Sequence, residues 1–221
     1  MSLKFSVQLP TDRVDNLAEF GTAEAITEVA RAAEAAGYDA AFVTEHPFPT
    51  DAWLGTGGHH ALDPFVSLAI AASATSDLLL HTNILVLGYR NPFLTAKAVA
   101  SLDAVSGGRV IVGFGAGYLE GEFDALGADF ANRNDVSDDA LVAMKAAWSG
   151  ESVEMSRSGF HAAGNTMLPT PIQKPHPPIW IGGNSPRAIR RSVDFAQGWS
   201  PFPLPAAGAG RTRTAAIENG D

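Results

Sequence analysis

Between Lys4 and Ser200 the sequence alternates short apolar runs with segments of helical period, one pair for about every thirty to forty residues. The runs are KFSVQL at 4–9, AAFVT at 40–44, LLLHTNILVL at 78–87, RVIVGF at 109–114, IWI at 179–181 and GWS at 198–200. Most are near-continuous in Val, Ile, Leu, Phe and Ala, as expected of strands covered on both faces. Strands separated by helices return in the same direction, so the pattern predicts a parallel sheet with helices outside it. Two architectures satisfy it: an open doubly wound sheet, or a barrel of eight βα units. Only six strands can be counted, and a complete barrel takes about 250 residues. The 221-residue chain therefore reads as one α/β domain over 1–221 that stops about two units short of a closed barrel. Residues 151–174 have no clear period and several Gly and Pro. They are expected to form an excursion between helix four and strand five, with room for a small hairpin.

The helices carry their own punctuation. One begins at Thr22, repeats Ile26, Val29, Ala30, Ala33 and Ala36, and stops at Gly37. Asp63-Pro64 opens a strongly apolar helix through Ala74, and Asn91-Pro92 opens a third with Leu94, Ala98, Leu102 and Val105 along one side. Helical segments follow at 119–126 and 135–148; in the second, Leu141, Met144 and Trp148 share a face that suits the core. The segment 47–60 reads as loop and contains Trp53. Long loops in compact domains are commonly functional.

Composition excludes several classes of function. A net charge of −9 leaves no basic stripe for nucleic acid. There is no Cys, hence no disulfide, thiolate metal site or cysteine nucleophile. No apolar run reaches membrane-spanning length, and the N-terminus lacks a signal-peptide pattern, so a cytoplasmic protein is expected.

The stretch Pro177–Ala196, PPIWIGGNSPRAIRRSVDFA, concentrates local signals. A buried strand ends in Gly182-Gly183, where the backbone can turn tightly and come close to a ligand. Ser185 is an N-cap and Pro186 suits the first helical position. Ile189, Val193 and Ala196 fall on one helical face, and Arg187, Arg190 and Arg191 point elsewhere. A helix N-terminus behind a glycine turn aims N–H groups and a positive dipole end at one point, which suits a phosphate; an ordinary βα turn has the same outline.

Glu45-His46 directly follows the second strand, at the edge where parallel α/β folds build active sites. A histidine there can move protons near neutral pH, and an adjacent carboxylate can orient it. Thr82-Asn83-Ile84 puts polar groups inside an apolar strand, where a bulge or an unusual peptide bond would expose them. Gly113, Gly115 and Gly117 do not make the dinucleotide fingerprint, because Tyr118 stands where its last glycine belongs. They mark a strand end that approaches a flat ligand or another loop. His59-His60 lacks a third ligand at metal-binding spacing, so no metal is expected. Ser185 lacks the nucleophile elbow, since position 187 is Arg. Trp180 and Trp199 read as packing residues.

The pieces VTEHPFP at 43–49, HTNILVLGYRNPFLTAKAVASLDAVSGGRVIVGFGAGYLEGEFDALG at 81–127 and PHPPIWIGGNSPRAIRR at 175–191 together resemble the luciferase-like family of flavin- and deazaflavin-dependent oxidoreductases. The resemblance covers nearly the whole chain. It implies a TIM (β/α)8 barrel, incomplete here at about six of eight βα units, with the cofactor at the C-terminal ends of the strands. It further implies His46 beside the reactive ring with Glu45 next to it, a cis peptide at Asn83–Ile84 behind the ring, Gly115 and Gly117 near the cofactor, and its phosphate at Gly182, Gly183, Asn184 and Ser185. Trp53 and Tyr118 are expected to shape the substrate pocket. Some deazaflavin relatives have a catalytic Glu just after the strand-four glycines; Tyr118 occupies that place here. The branch most resembled uses coenzyme F420, so hydride transfer to or from a small organic substrate is expected. An FMN-dependent monooxygenase of the same fold is the alternative, and a non-catalytic flavin-binding protein is a third reading. The family commonly dimerises, and a homodimer is expected.

Overall fold

The computed structural model describes residues 3–202. Six parallel strands form one sheet: β1 (Ser6–Gln8), β2 (Ala40–Val43), β3 (Leu79–Val86), β4 (Val110–Gly115), β7 (Ile179–Gly182) and β8 (Gly198–Ser200). Among the described residues they lie in the order β1-β2-β3-β4-β7-β8, curled as part of a barrel with β1 and β8 at its two edges. Between β4 and β7, β5 (Val153–Arg157) and β6 (Phe160–Asn165) pair as a separate antiparallel hairpin. The residues after Phe202, rich in Pro, Ala, Gly and Arg, lie outside the described residues.

Local chemistry places the helices where the sequence does. The Thr22 hydroxyl accepts from the Ala25 N–H at the start of α2 (Ala23–Ala35), after the one-turn α1 (Leu17–Phe20). Asp63 accepts from the N–H groups of Phe65 and Val66 and opens α4 (Pro64–Ala74). Asn91 opens α5 (Pro92–Ser106), which ends at the left-handed Gly107. The short α6 (Glu120–Ala125) and the long α7 (Arg133–Trp148) follow β4, and α8 (Pro186–Phe195) starts at Ser185, whose hydroxyl accepts from the Ala188 N–H. The 47–60 segment is more ordered than a loop: Thr50 caps the single turn α3 (Asp51–Leu54).

Alternate strand residues face opposite sides. Ala41, Val43, Leu80, Val112, Ile179 and Ile181 are buried beneath the helices, where Leu141, Met144 and Trp148 of α7 join the core. The register sets Phe42, His81 and Ile111 in one row of the concave face, and Gly113, Trp180 and Gly198 in the next.

Two helices turn a different face inward than their apolar pattern suggests. In α5, Leu94 and Val105 are exposed, and the buried side runs through Thr95, Ala96, Val99, Ala100, Leu102 and Asp103. Small residues win there because α4 and α7 pack closely on either side. In α8, Val193 is 79% exposed and Ile189 41%, whereas Arg191 is buried. The reason is electrostatic: α7 presents Asp135, Asp138 and Asn134 to α8. Arg191 donates to Asp138 and to the Asn134 carbonyl (2.9 Å), and Arg187 donates to Asp135 and Asp138. A guanidinium with fixed partners tolerates burial that an unpaired charge would not. Trp199 is likewise 41% exposed, its indole N–H donating to the Gly183 carbonyl at 2.8 Å.

Removing one member of a buried ion pair typically costs about 3–5 kcal/mol, so Arg191→Ala is expected near the lower end, about 3 kcal/mol, in urea denaturation. Val193→Ser is expected to change stability by no more than about 0.5 kcal/mol, as an exposed position should. The reverse ranking would contradict this seating of α8.

Candidate active site

The C-terminal ends of the strands converge on one rim, and two buried carboxylates organise it. Glu45, the second residue after β2, is 3% exposed. It accepts from the Val86 N–H at 2.7 Å and from Arg90 Nε and Nη2 at 2.9 and 2.7 Å. Arg90 also donates to Asp63 at 2.9 Å and lies over the Phe65 ring. Burial pushes the Glu45 carboxyl up, and Arg90 with the Val86 N–H offsets only part of that. Glu45 thus braces the end of β3 and does not orient His46, as its neighbouring position in the sequence suggested: adjacent side chains point apart here, and Arg90 draws the carboxylate away.

The carboxylate that does reach His46 is Glu122, fully buried on α6. His46 Nδ1 lies 3.3 Å from its Oε2; the Tyr89 hydroxyl donates to the same oxygen at 2.8 Å, and the Phe48 N–H donates to Oε1 at 3.0 Å. Burial pushes Glu122 up, but the hydrogen bonds from His46, Tyr89 and the Phe48 N–H outweigh it, and the carboxyl is held below its ordinary value. Burial and the Glu122 charge raise the Tyr89 and Tyr118 phenols.

Around His46 stand three aromatic rings: Trp53 at 4.5 Å between centroids, His59 at 4.9 Å and Tyr118 at 6.3 Å. Trp53 is held there by its surroundings. A Cβ on Gly58 would come within 2.3 Å of the indole, and one on Gly121 within 2.4 Å of Thr50 Cγ2 at the start of α3, so these two glycines let the segment fold down onto α6. His59 was not expected at the site, since its loop position gives no local signal.

Across the rim, the register of β3 slips between Thr82 and Leu85, and the Asn83–Ile84 peptide is cis. The Ile84 side chain then lies over glycines. A Cβ would stand 2.1 Å from Ile84 Cδ1 on Gly115, 3.0 Å from it on Gly182, and 3.2 Å from Ile84 Cγ2 on Gly113. Gly115 and Gly182 therefore make room first for Ile84, which forms an apolar surface on the concave side, whereas Gly113 makes room first for the Thr82 carbonyl, 2.1 Å from where its Cβ would stand. Gly117 has a φ of +78° and faces Val86 and Phe123. The Ser200 hydroxyl donates to Asn83 Oδ1 at 3.3 Å.

At the end of β7, Gly183 adopts a φ of +109° and turns the chain into α8. Ser185 is committed to its cap. Asn184 is buried, its side chain donating to the Phe202 carbonyl at 2.6 Å and accepting from the Phe202 N–H at 2.8 Å. What the turn offers a ligand is therefore chiefly backbone: the Gly183 N–H donates to the Ser200 carbonyl at 3.3 Å and the Ala188 N–H to the Ser185 hydroxyl, and Pro186 has none, which leaves the Ser185 and Arg187 N–H groups at the helix start without an intrahelical partner.

A parallel βα sheet with its polar constellation on the C-terminal rim defines the architecture of the barrel enzymes. The chain belongs to the luciferase-like monooxygenase family, whose profile matches residues 3–219. It is similar to an F420-dependent hydroxymycolic acid dehydrogenase of Mycobacterium tuberculosis, 30% identical over 174 residues that cover 77% of this chain and 46% of the relative. It is also similar to an FMNH(2)-dependent dimethylsulfone monooxygenase of Pseudomonas putida, 29% identical over 61% of this chain and 38% of that one. Among solved structures, the monooxygenase RslO1 from Streptomyces bottropensis superposes with a TM-score of 0.73 at 27% identity, over 86% of this chain and 57% of that chain. The chain thus spans about half the length of these proteins.

Beneath the rim, on the concave face, His81 is 5% exposed and packs against Phe42 and Trp180, with no hydrogen-bond partner for Nε2 among the described residues. Burial lowers its pKa from 6.5 to about 4. As pH falls below 6.5 the unfolded imidazole takes up a proton that the folded one refuses until about 4. His81 therefore contributes stability that is present above 6.5 and lost across that window, by up to about 3 kcal/mol. Urea unfolding of wild type and His81→Leu at several pH values checks this: the difference between them should change through the window, and a constant difference would contradict it.

Proposed function

We propose that the rim binds a flavin-type coenzyme, F420 in preference to FMN, and that the protein transfers a hydride between it and a small organic substrate. The observation that carries this reading is the joint presence on one rim of His46, in contact with a buried carboxylate, and of a glycine turn running into the capped N-terminus of α8. The residues fit such a coenzyme. Ile84 gives a partly exposed apolar surface on which a flat ring can lie, and the backbone N–H groups of Ser185 and Arg187 at the start of α8 would hold its phosphate, Gly182 and Gly183 letting the chain come close. Asn184 and Ser185 would serve by shaping that turn, since their side chains already hold Phe202 and Ala188. The preference for F420 is supported by the mycobacterial dehydrogenase, which aligns over more of the chain than the FMNH(2)-dependent relative does.

When bound, the coenzyme supplies the hydride acceptor or donor. The chain supplies the rest. His46 gives or takes the proton that must accompany the hydride, and a side chain about 10% exposed can do so without opening the site to bulk water. Trp53, His59 and Tyr118 wall off the space beside it. A homodimer remains part of this reading.

Titrating the purified protein with F420 and with FMN while following fluorescence tests the proposal. Saturable F420 binding is expected, weakened about tenfold or more in Gly183→Val, because a β-branched residue cannot hold a φ of +109° without strain. Tight FMN binding without F420 binding would replace hydride transfer with the monooxygenase reading. Binding of neither would overturn the proposal.

A further inference from the structure

Glu122 meets three groups, and all three approach as donors or as a ring nitrogen that must be assigned a role. An ionised carboxylate accepts and cannot donate. The Phe48 N–H and the Tyr89 hydroxyl both donate to it, so neither can supply a proton that would let Glu122 donate to the ring. The remaining contact, 3.3 Å from Oε2 to His46 Nδ1, is a hydrogen bond only if Nδ1 carries the hydrogen. In a neutral imidazole that leaves Nε2 bare, with its lone pair available. The same carboxylate holds the backbone of Phe48, two residues beyond His46, where the chain sets out towards Trp53. One group therefore governs both the ring and the start of the segment that covers it.

We propose that Glu122 is the positioning residue of this site: it fixes His46 as the Nδ1–H tautomer, makes Nε2 the nitrogen that exchanges a proton with substrate, and anchors the start of the 47–60 cover. The proposal rests on the reading of His46 as the proton-transferring group. Glu122→Gln keeps the shape and reverses the chemistry. If the amide oxygen retains the Phe48 N–H, the NH2 group takes the place of Oε2 and faces His46 Nδ1 as a donor. The ring proton is then driven to Nε2. The corresponding loss of the correct tautomer in serine-protease triads costs about 10⁴ in kcat.

The experiment is a long-range 1H–15N correlation spectrum of 15N-histidine-labelled protein, recorded with the His46 ring neutral, with His46→Gln to assign the resonance. Wild type should show protonated Nδ1 and bare Nε2. In Glu122→Gln the proton should move to Nε2, and in Tyr89→Phe, which leaves the carboxylate in place, it should stay on Nδ1. A wild-type His46 protonated at Nε2 overturns the proposal by itself, whether or not Glu122→Gln folds; so does an unchanged tautomer in a folded Glu122→Gln. Coenzyme titration of the same samples keeps the two ideas apart. Loss of binding in wild type would count against the functional reading, and the ring spectrum alone decides the role of Glu122.

Discussion

The site depends on two carboxylates buried where carboxylates are costly. Taking such a charge out of water carries an effective penalty of several kcal/mol, which only well-aimed donors offset. Glu45 is matched by Arg90 and the Val86 N–H, and Glu122 by Tyr89, His46 and the Phe48 N–H. Each therefore ties the chain leaving β2 to the ends of other strands: Glu45 to the end of β3, Glu122 to the segments that follow β3 and β4. In a parallel sheet the strand ends are joined by no hydrogen-bond ladder of their own. These side chains replace it, and they set the place of His46 relative to the rest of the rim.

The glycines of β4 and β7 belong to the same construction. Gly115 and Gly182 leave the volume that Ile84 occupies once β3 slips its register, and Gly113 admits the Thr82 carbonyl. The result is an apolar surface flanked by His46 and its aromatic neighbours at one side and by the start of α8 at the other. Arg187 and Arg191, whose charge would suit a phosphate, instead fasten α8 to α7. Their charge is spent on holding the helix whose N-terminus faces the rim. Under the proposed function, backbone donors and not arginines would recognise the phosphate.

The strands and helices were legible because their signals are local. Short runs, most of them near-continuously apolar, marked the six parallel strands, and Thr22, Asp63, Asn91 and Ser185 cap the helices they precede. The polar interruption at Thr82–Ile84 showed that β3 is irregular, and the family resemblance supplied the cis peptide. The partnerships between side chains were less legible. Glu122 lies 76 positions from His46, on a short helix with nothing in its own sequence to single it out beyond following a glycine-rich strand end. Glu45 sits next to His46 in sequence and still turns to Arg90. The face of α8 was misread because an apolar stripe normally seeks the core. Here the neighbouring helix offers carboxylates, and ion pairing outweighs the burial of Ile189 and Val193.

The central claim is that one rim receives ring and phosphate together, and a crystal structure with bound coenzyme tests it most directly. The account predicts the phosphate within hydrogen-bond distance of backbone N–H groups that follow Gly183 into the first turn of α8, with the ring against Ile84 and facing His46. A phosphate seated instead in the outer groove between α7 and α8, among Asp138, Arg187 and Arg190, or a ring lying away from Ile84, would contradict it.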